Sequence, residues 1–357
     1  MEREDFTCKF RLSKLKMAND SRMHVVADTL DDLMLRKVYR GLVRKNDVVS
    51  PSKGQTVEEF GNLLTLKNPL ARLSRTETKG TVFSCLGEFL WYMSGSNSLE
   101  VIEYYIKDYG KYSDDGLTIF GAYGPRLFNK GGIDQLAYVL ARLESIPASR
   151  KAVIQLFDAG DVVEHHEDVP CTCTLQFVAR SNKLHLNVNM RSNDAFKGLP
   201  HDVFSFTMLQ EVVARTLSLG LGHYHHSVGS LHLYTDDLSR AEQFLSEGLQ
   251  DDVPMPPMPQ GDPTAGLSAL KDAEKVIRTT KTIPVVTPGI PAYWHDLIRL
   301  LAIFASSSPR EIVKLKNEMS SKTFENFIRK RHLQRIQATD LPLFDRVMEE
   351  LNAGSSP

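Results

Sequence analysis

The chain has 357 residues, of which 42% are hydrophobic, and 43 Lys and Arg stand against 44 Asp and Glu for a formal net charge of -1. That length and apolar content suit one large or two smaller globular domains, and the charge balance argues against a dedicated nucleic-acid or acidic-membrane binder while permitting a local basic pocket. The opening MEREDFTCKFRLSKLK has no apolar signal core, and no apolar run of about 18 residues occurs, so Cys8, Cys85, Cys171 and Cys173 are expected as free thiols in a reducing cytoplasm.

Apolar residues at i, i+3 and i+4 predict a helix over Leu30–Val43. A polar Gly/Pro loop follows at Asn46–Gln55. Phe83–Met93 reads as a buried helix carrying one acid, Glu88, and Gly132–Ser145 as an amphipathic helix. Strands are expected at Lys151–Phe157, Thr174–Ala179 and Leu184–Met190, the last two joined by the hairpin connection Arg180–Lys183. Asp202–Ser218 is a long apolar helix and Tyr224–Tyr234 a further strand. Five prolines fall within residues 251–266, which makes that stretch a stiff linker or a wrapping arm. Pro291–Ser306 is an apolar helix, and Ser308, Pro309 and Glu311 have the pattern of an N-cap, N1 and N3. The cluster Arg329–His332 reads as a solvated face of a C-terminal helix. The expected division is 1–250, a Pro-rich 251–267 and a helical extension over 268–357.

The chemistry concentrates between Pro170 and Asp202. Cys171 follows a proline at a strand entrance. It is either a small buried hydrophobe or, beside cationic groups, a nucleophile of lowered pKa. Cys171 and Cys173 have the wrong spacing for a paired zinc site despite the histidines elsewhere, so no metal is expected. On an extended strand the two thiols would share one face. Arg191 and Ser192 can hold a phosphate through charge-assisted hydrogen bonds or form a surface ion pair. Arg150 and Lys151 offer a second cationic pair. Glu88 is either the partner of a buried cation or a carboxyl of raised pKa suited to acid–base work.

PCTCTLQF, NMRSNDAFKGLPHDVFSF and VGSLHLY, with GEFLW, GAYGPR and SRK upstream, resemble the thymidylate synthase superfamily, and most closely its cytidylate hydroxymethylase branch. The resemblance runs from about Leu30 to Phe244. It implies an α/β fold in which a large mixed or antiparallel sheet is flanked by helices and forms a homodimer through the sheet. By that resemblance Cys171 is the nucleophile that adds to C6 of the pyrimidine, Glu88 is the acid–base residue, and Arg191 and Ser192 bind the 5′-phosphate. Arg150 and Lys151 would reach the phosphate held by the other subunit, and Lys53 stands where an expected phosphate arginine is missing. His232 and Tyr234 would hold the sugar, Tyr123 would line the pocket, and Asp194, Trp91 and Gly198 would lie near the folate.

Besides Lys151, where the family usually has a second arginine, and the missing arginine near Lys53, two departures from the synthases matter most: Thr172 replaces a histidine and Asp202 an asparagine. Asparagine matches uracil, whereas a carboxylate accepts from the amino group of cytosine and repels uracil O4, and as an acid it can help protonate N3. The resemblance therefore implies 5-hydroxymethylation of CMP or dCMP, with 5,10-methylenetetrahydrofolate as cofactor and water adding to the exocyclic methylene. The alternatives are methylation of dUMP, or a non-catalytic nucleotide- or RNA-binding protein on the same scaffold.

Overall fold

The computed structural model describes residues 24–51, 53–284 and 289–338. The opening MEREDFTCKFRLSKLK, Cys8 and the last 19 residues of the expected extension lie outside them. A seven-stranded sheet is built from β1 (His24–Ala27), β2 (Val48–Val49), β3 (Thr56–Leu66), β4 (Val153–Gln155), β5 (Thr172–Arg180), β6 (Lys183–Asp194) and β7 (Gly220–Tyr234). The order is β1-β3-β7-β6-β5-β4, with β2 paired to β3. β1 is parallel to β3 and β6 to β7, and the other pairs are antiparallel, so the sheet is mixed.

The period-two pattern of β5 and β6 has a direct outcome. Leu175, Phe177, Leu184, Leu186 and Val188 are all buried on one face. The hairpin is tighter than the expected four residues. Arg180 pairs with Lys183, and only Ser181 and Asn182 turn, both at positive φ as a type I′ turn requires. The polar loop at 46–55 includes the short strand β2, and the expected strand at 151–157 shrinks to β4.

Helices cover the inner face: α1 (Leu30–Leu33), α2 (Tyr39–Val43), α3 (Val82–Met93), α4 (Leu99–Tyr105), α5 (Tyr123–Phe128), α6 (Gln135–Ser145), α7 (Gly198–Thr216) and α8 (Leu238–Glu247). A π-turn over Met34–Val38 joins α1 to α2, so the predicted first helix is continuous but locally widened. α3 packs on α7 and is buried almost throughout, Glu88 included. Gly87 is required there, because a Cβ would lie 2.1 Å from the Tyr105 ring of α4.

Residues 251–263 form no helix or strand and lie as an arm against α7. Glu211 holds the arm. Its Oε1 accepts from the Met258 N–H at 2.7 Å, its Oε2 pairs with Arg72 at 2.6 Å, and Arg215 donates to the Met258 carbonyl. After the arm come α9 (Thr264–Thr280), α10 (Ala292–Ala305), α11 (Pro309–Asn317) and a helical stretch over 325–338. Ser308 caps α11 with Pro309 behind it, as expected. α9 and α10 pack on each other and on α3, and Phe304 meets Phe83, Tyr104 and Tyr105. The basic cluster is only partly a solvated face. Arg329 pairs with Glu77, but Arg331 lies over the Phe304 ring and donates to the Phe304 carbonyl.

Candidate active site

Strand register gathers the predicted residues at one end of the sheet. The Arg191 N–H donates to the Cys171 carbonyl at 2.9 Å. Across the parallel pair Ser192 faces Ser230 and Asp194 faces His232, and Tyr234 faces Thr56 on β3. Ser192 Oγ is 3.4 Å from His232 Nδ1, and the His232 and Tyr234 rings meet edge to face. The Lys53 ammonium lies 4.4 Å from the Tyr112 ring centroid, donates to the Glu167 carbonyl at 2.6 Å, and is near enough to Cys171 to favour its thiolate. Arg150 and Lys151 precede edge strand β4, exposed, and their side chains make no hydrogen bond or ion pair among the described residues. One chain does not bring them to the pocket.

Two expectations about the thiols need correction. Burial pushes the Cys171 thiol up to about 11, an effect that the Arg191 guanidinium only partly offsets and that the nearby Asp168 and Asp202 reinforce. The free protein thus holds a protonated thiol, not a thiolate of lowered pKa. A β-bulge between Thr172 and Thr174 also breaks the strand alternation, so 171 and 173 do not share a face by simple period two.

Buried contacts run from Thr172, beside Cys171, through two tyrosines to Glu88. The Thr172 N–H and hydroxyl both bond the Tyr123 hydroxyl, at 3.1 and 2.9 Å. Thr172 therefore anchors a pocket-wall tyrosine. The Tyr123 ring lies 5.0 Å from that of Tyr92, whose hydroxyl donates to Glu88 Oε1 at 2.8 Å. Burial raises the Glu88 carboxyl to about 7. Asp202 sits near the start of α7, and burial, then the charge of Glu88, hold its carboxyl well above the usual carboxylate range. Burial and the neighbouring Glu88 charge thus both favour the protonated form of Asp202 over its carboxylate. Glu88 is not the partner of a buried cation: its Oε2 is buried with no protein partner.

Near the residues expected to face folate, Trp91 is buried and its indole N–H is also without a partner. Asp194 Oδ1 accepts from the Phe196 and Lys197 N–H groups, which fixes the carboxylate at the turn into α7 and leaves Oδ2 open. Gly198 has a local reason: a Cβ there would lie 2.9 Å from Asn193 Nδ2. Away from this site, His185, His223 and His225 bring ligand atoms within 4.8 Å of one another, but His185 Nδ1 already accepts from the His223 N–H, and neither thiol belongs to the group.

The family model described as thymidylate synthase matches residues 46–260, more than half of the chain and all of this site. The chain belongs to the thymidylate synthase family. It is 29% identical over 211 residues to a deoxyuridylate hydroxymethyltransferase of Bacillus phage SP01, a match covering 55% of each chain. It is 30% identical over 190 residues to a thymidylate synthase of Francisella tularensis subsp. holarctica (strain FTNF002-00 / FTA), covering 48% of this chain and 68% of that protein. The chain thus spans little more than half the length of the phage relative.

In this family member, sequence reasoning missed Asn193, His226 and Tyr224. Asn193 Nδ2 donates to Asp202 Oδ2 at 2.7 Å, Asn193 Oδ1 accepts from His226 Nε2 at 2.9 Å, and His226 Nδ1 is 2.7 Å from the Tyr224 hydroxyl. The missed signal is a change of parity. Buried residues of β6 fall on even numbers up to Met190 and then on Asn193, and β7 shifts likewise between Val228 and Leu231. Gly229 marks the shift, since a Cβ there would lie 2.7 Å from the Arg191 carbonyl oxygen. Asp168, half-buried near Cys171 with its carboxyl raised by desolvation, was missed as well.

Proposed function

We propose that the protein transfers a one-carbon unit to C5 of a cytidine monophosphate and releases the 5-hydroxymethyl product. Family membership supports one-carbon transfer to a pyrimidine nucleotide, and the phage relative's name supports hydroxymethyl transfer. The observation that carries the choice of base is Asp202, a buried carboxyl whose protonated form burial favours, where the synthases have asparagine. A neutral acid can donate to cytosine N3 and accept from its amino group.

The proposed roles follow from the site. Cys171 adds to C6 as its proton leaves, and with a thiol near 11 that step needs Arg191 and Lys53 to favour the anion. Asp202 donates toward N3 as negative charge develops there. Arg191, Ser192 and Lys53 hold the phosphate, His232 and Tyr234 the sugar, and Tyr123 the pocket wall. Glu88, with Oε2 free and a carboxyl near 7, orients the water that ends as the 5-hydroxyl. When bound, 5,10-methylenetetrahydrofolate supplies the one-carbon unit. The open polar atoms of Trp91 and Asp194 fit such a group, with Gly198 at the turn beside them.

The proposed unit is a homodimer. Val26 on β1 and Phe60 and Leu63 on β3 expose apolar surface on the sheet, and Arg150 and Lys151 stand free to reach a neighbouring site. Residues 1–250 would carry the chemistry, with the Pro-rich arm and the helices after it as an addition.

The rival substrate is dUMP, which the phage relative's name supports. Incubation with methylenetetrahydrofolate and CMP, dCMP or dUMP, read by mass spectrometry, decides. A 5-hydroxymethylcytidylate is expected. Turnover of dUMP alone overturns the proposal, whether it gives 5-hydroxymethyl-dUMP with tetrahydrofolate or thymidylate with dihydrofolate.

A further inference from the structure

We propose that Asn193 is a positioning residue that makes Asp202 a one-way reader of the pyrimidine edge, so that base choice depends on a side chain that touches no substrate. The inference rests on the reading above only in placing the base against Asp202.

A neutral carboxyl alone discriminates poorly. It offers one donor and one acceptor, and moving its proton from one oxygen to the other exchanges them. Cytosine presents an amino donor at C4 and an acceptor at N3, and uracil presents the reverse. An unrestrained acid fits both. Asn193 removes that freedom: its N–H points at Asp202 Oδ2 from 2.7 Å, so Oδ2 stays an acceptor and the proton belongs on Oδ1. Among the described residues Oδ1 makes no hydrogen bond, and it is the oxygen left to donate to a ligand.

The amide is itself held in one orientation. Its Oδ1 takes the N–H of His226 Nε2 at 2.9 Å. Burial keeps His226 neutral, with its pKa down at about 3, so the ring has one proton to place. The Tyr224 hydroxyl, 2.7 Å from His226 Nδ1, has no other hydrogen-bond partner among the described residues. Turning the amide over would move the imidazole proton to Nδ1 and leave the Tyr224 proton buried and unpaired, which disfavours that orientation. Donation therefore runs from Tyr224 through His226 and Asn193 to Asp202. All four residues are buried, and Gly198 leaves the space the amide occupies.

Calorimetric titration of CMP, dCMP, UMP and dUMP into the full chain, without folate, tests this. The wild type is expected to favour the cytidylates. Asn193→Ala should lower the preference ratio about tenfold, through weaker binding of the favoured base. Tyr224→Phe, which keeps the ring and removes the first donor, should lower it in the same direction and by less, and it carries the test if Asn193→Ala does not fold. A wild type that favours uridylates and loses that preference on Asn193→Ala would sustain Asn193 as the positioning residue while sinking the cytidylate reading. An unchanged ratio in the folded variants, or a wild type with no base preference, overturns the inference.

Discussion

The Arg191 guanidinium is hydrogen-bonded to the carbonyl oxygens of Val169 and Pro170, the two residues that precede Cys171, at 2.8 and 3.0 Å. The cation that most favours the thiolate is thus clasped to the nucleophile's own loop. Arg191→Ala removes both charge and clasp. Iodoacetamide labelling of Cys171 at pH 8 should slow about threefold to tenfold, as peptide mass spectrometry would report. In the wild type, labelling should keep rising with pH toward about 11, beyond the range of an ordinary thiol.

Glu88 makes stability depend on pH in a predictable direction. Its carboxyl titrates at about 4.5 when unfolded and about 7 when folded, so the folded state binds more protons between those values. The stability associated with the neutral form is present below pH 4.5 and is lost as pH rises through 7. Glu88→Gln should be more stable than the wild type at pH 8, by up to about 3 kcal/mol, and close to it at pH 4.5, while turnover collapses. Urea unfolding at the two pH values measures this; equal differences at both would reject it.

Asp202→Asn restores the amide that matches uracil. Turnover of cytidylates should fall by about a hundredfold or more and dUMP should become a ligand, because the wrong base leaves buried groups unpaired. The paired kcat/KM values on dCMP and dUMP report the switch.

Glu211 is the single carboxylate joining Arg72, Arg215 and the arm, and it is fully buried. Glu211→Ala leaves two guanidinium groups short of their counter-charge and should destabilise the protein by about 3 kcal/mol or more. Limited proteolysis should then cut within 251–263, at sites the wild type protects.

Much of the fold was legible because its signals are local. The alternation of β5 and β6, the apolar runs of α3 and α7, and the Ser308–Pro309 cap each depend on a few adjacent residues. β3 was not legible: Glu58, Glu59 and Gly61 interrupt its pattern, and its place beside β7 is a long-range pairing. The start of α9 at Thr264 was hidden by the prolines before it. At the site, motif residues such as Cys171, Arg191, Asp202 and Glu88 stood out by chemical type. Asn193 did not, since its meaning comes from His226, 33 positions away, and from a shift of strand parity. The lowered pKa expected for Cys171 was misjudged for one reason: sequence shows neighbouring charges but not the depth of burial, and burial dominates that thiol.

Asp202 and Glu211 stand nine positions apart on α7, about 14 Å along one rigid rod. Asp202, the proposed base reader, and the Glu211 clamp on the arm share this helix and cannot be engineered as separate parts. A shortened form ending near residue 250 would strip Met255 and Met258 from the helix and leave the Glu211 charges facing water. The helix would lose part of its packing, so the prolines, where composition alone invites a cut, are a poor place to end the chain.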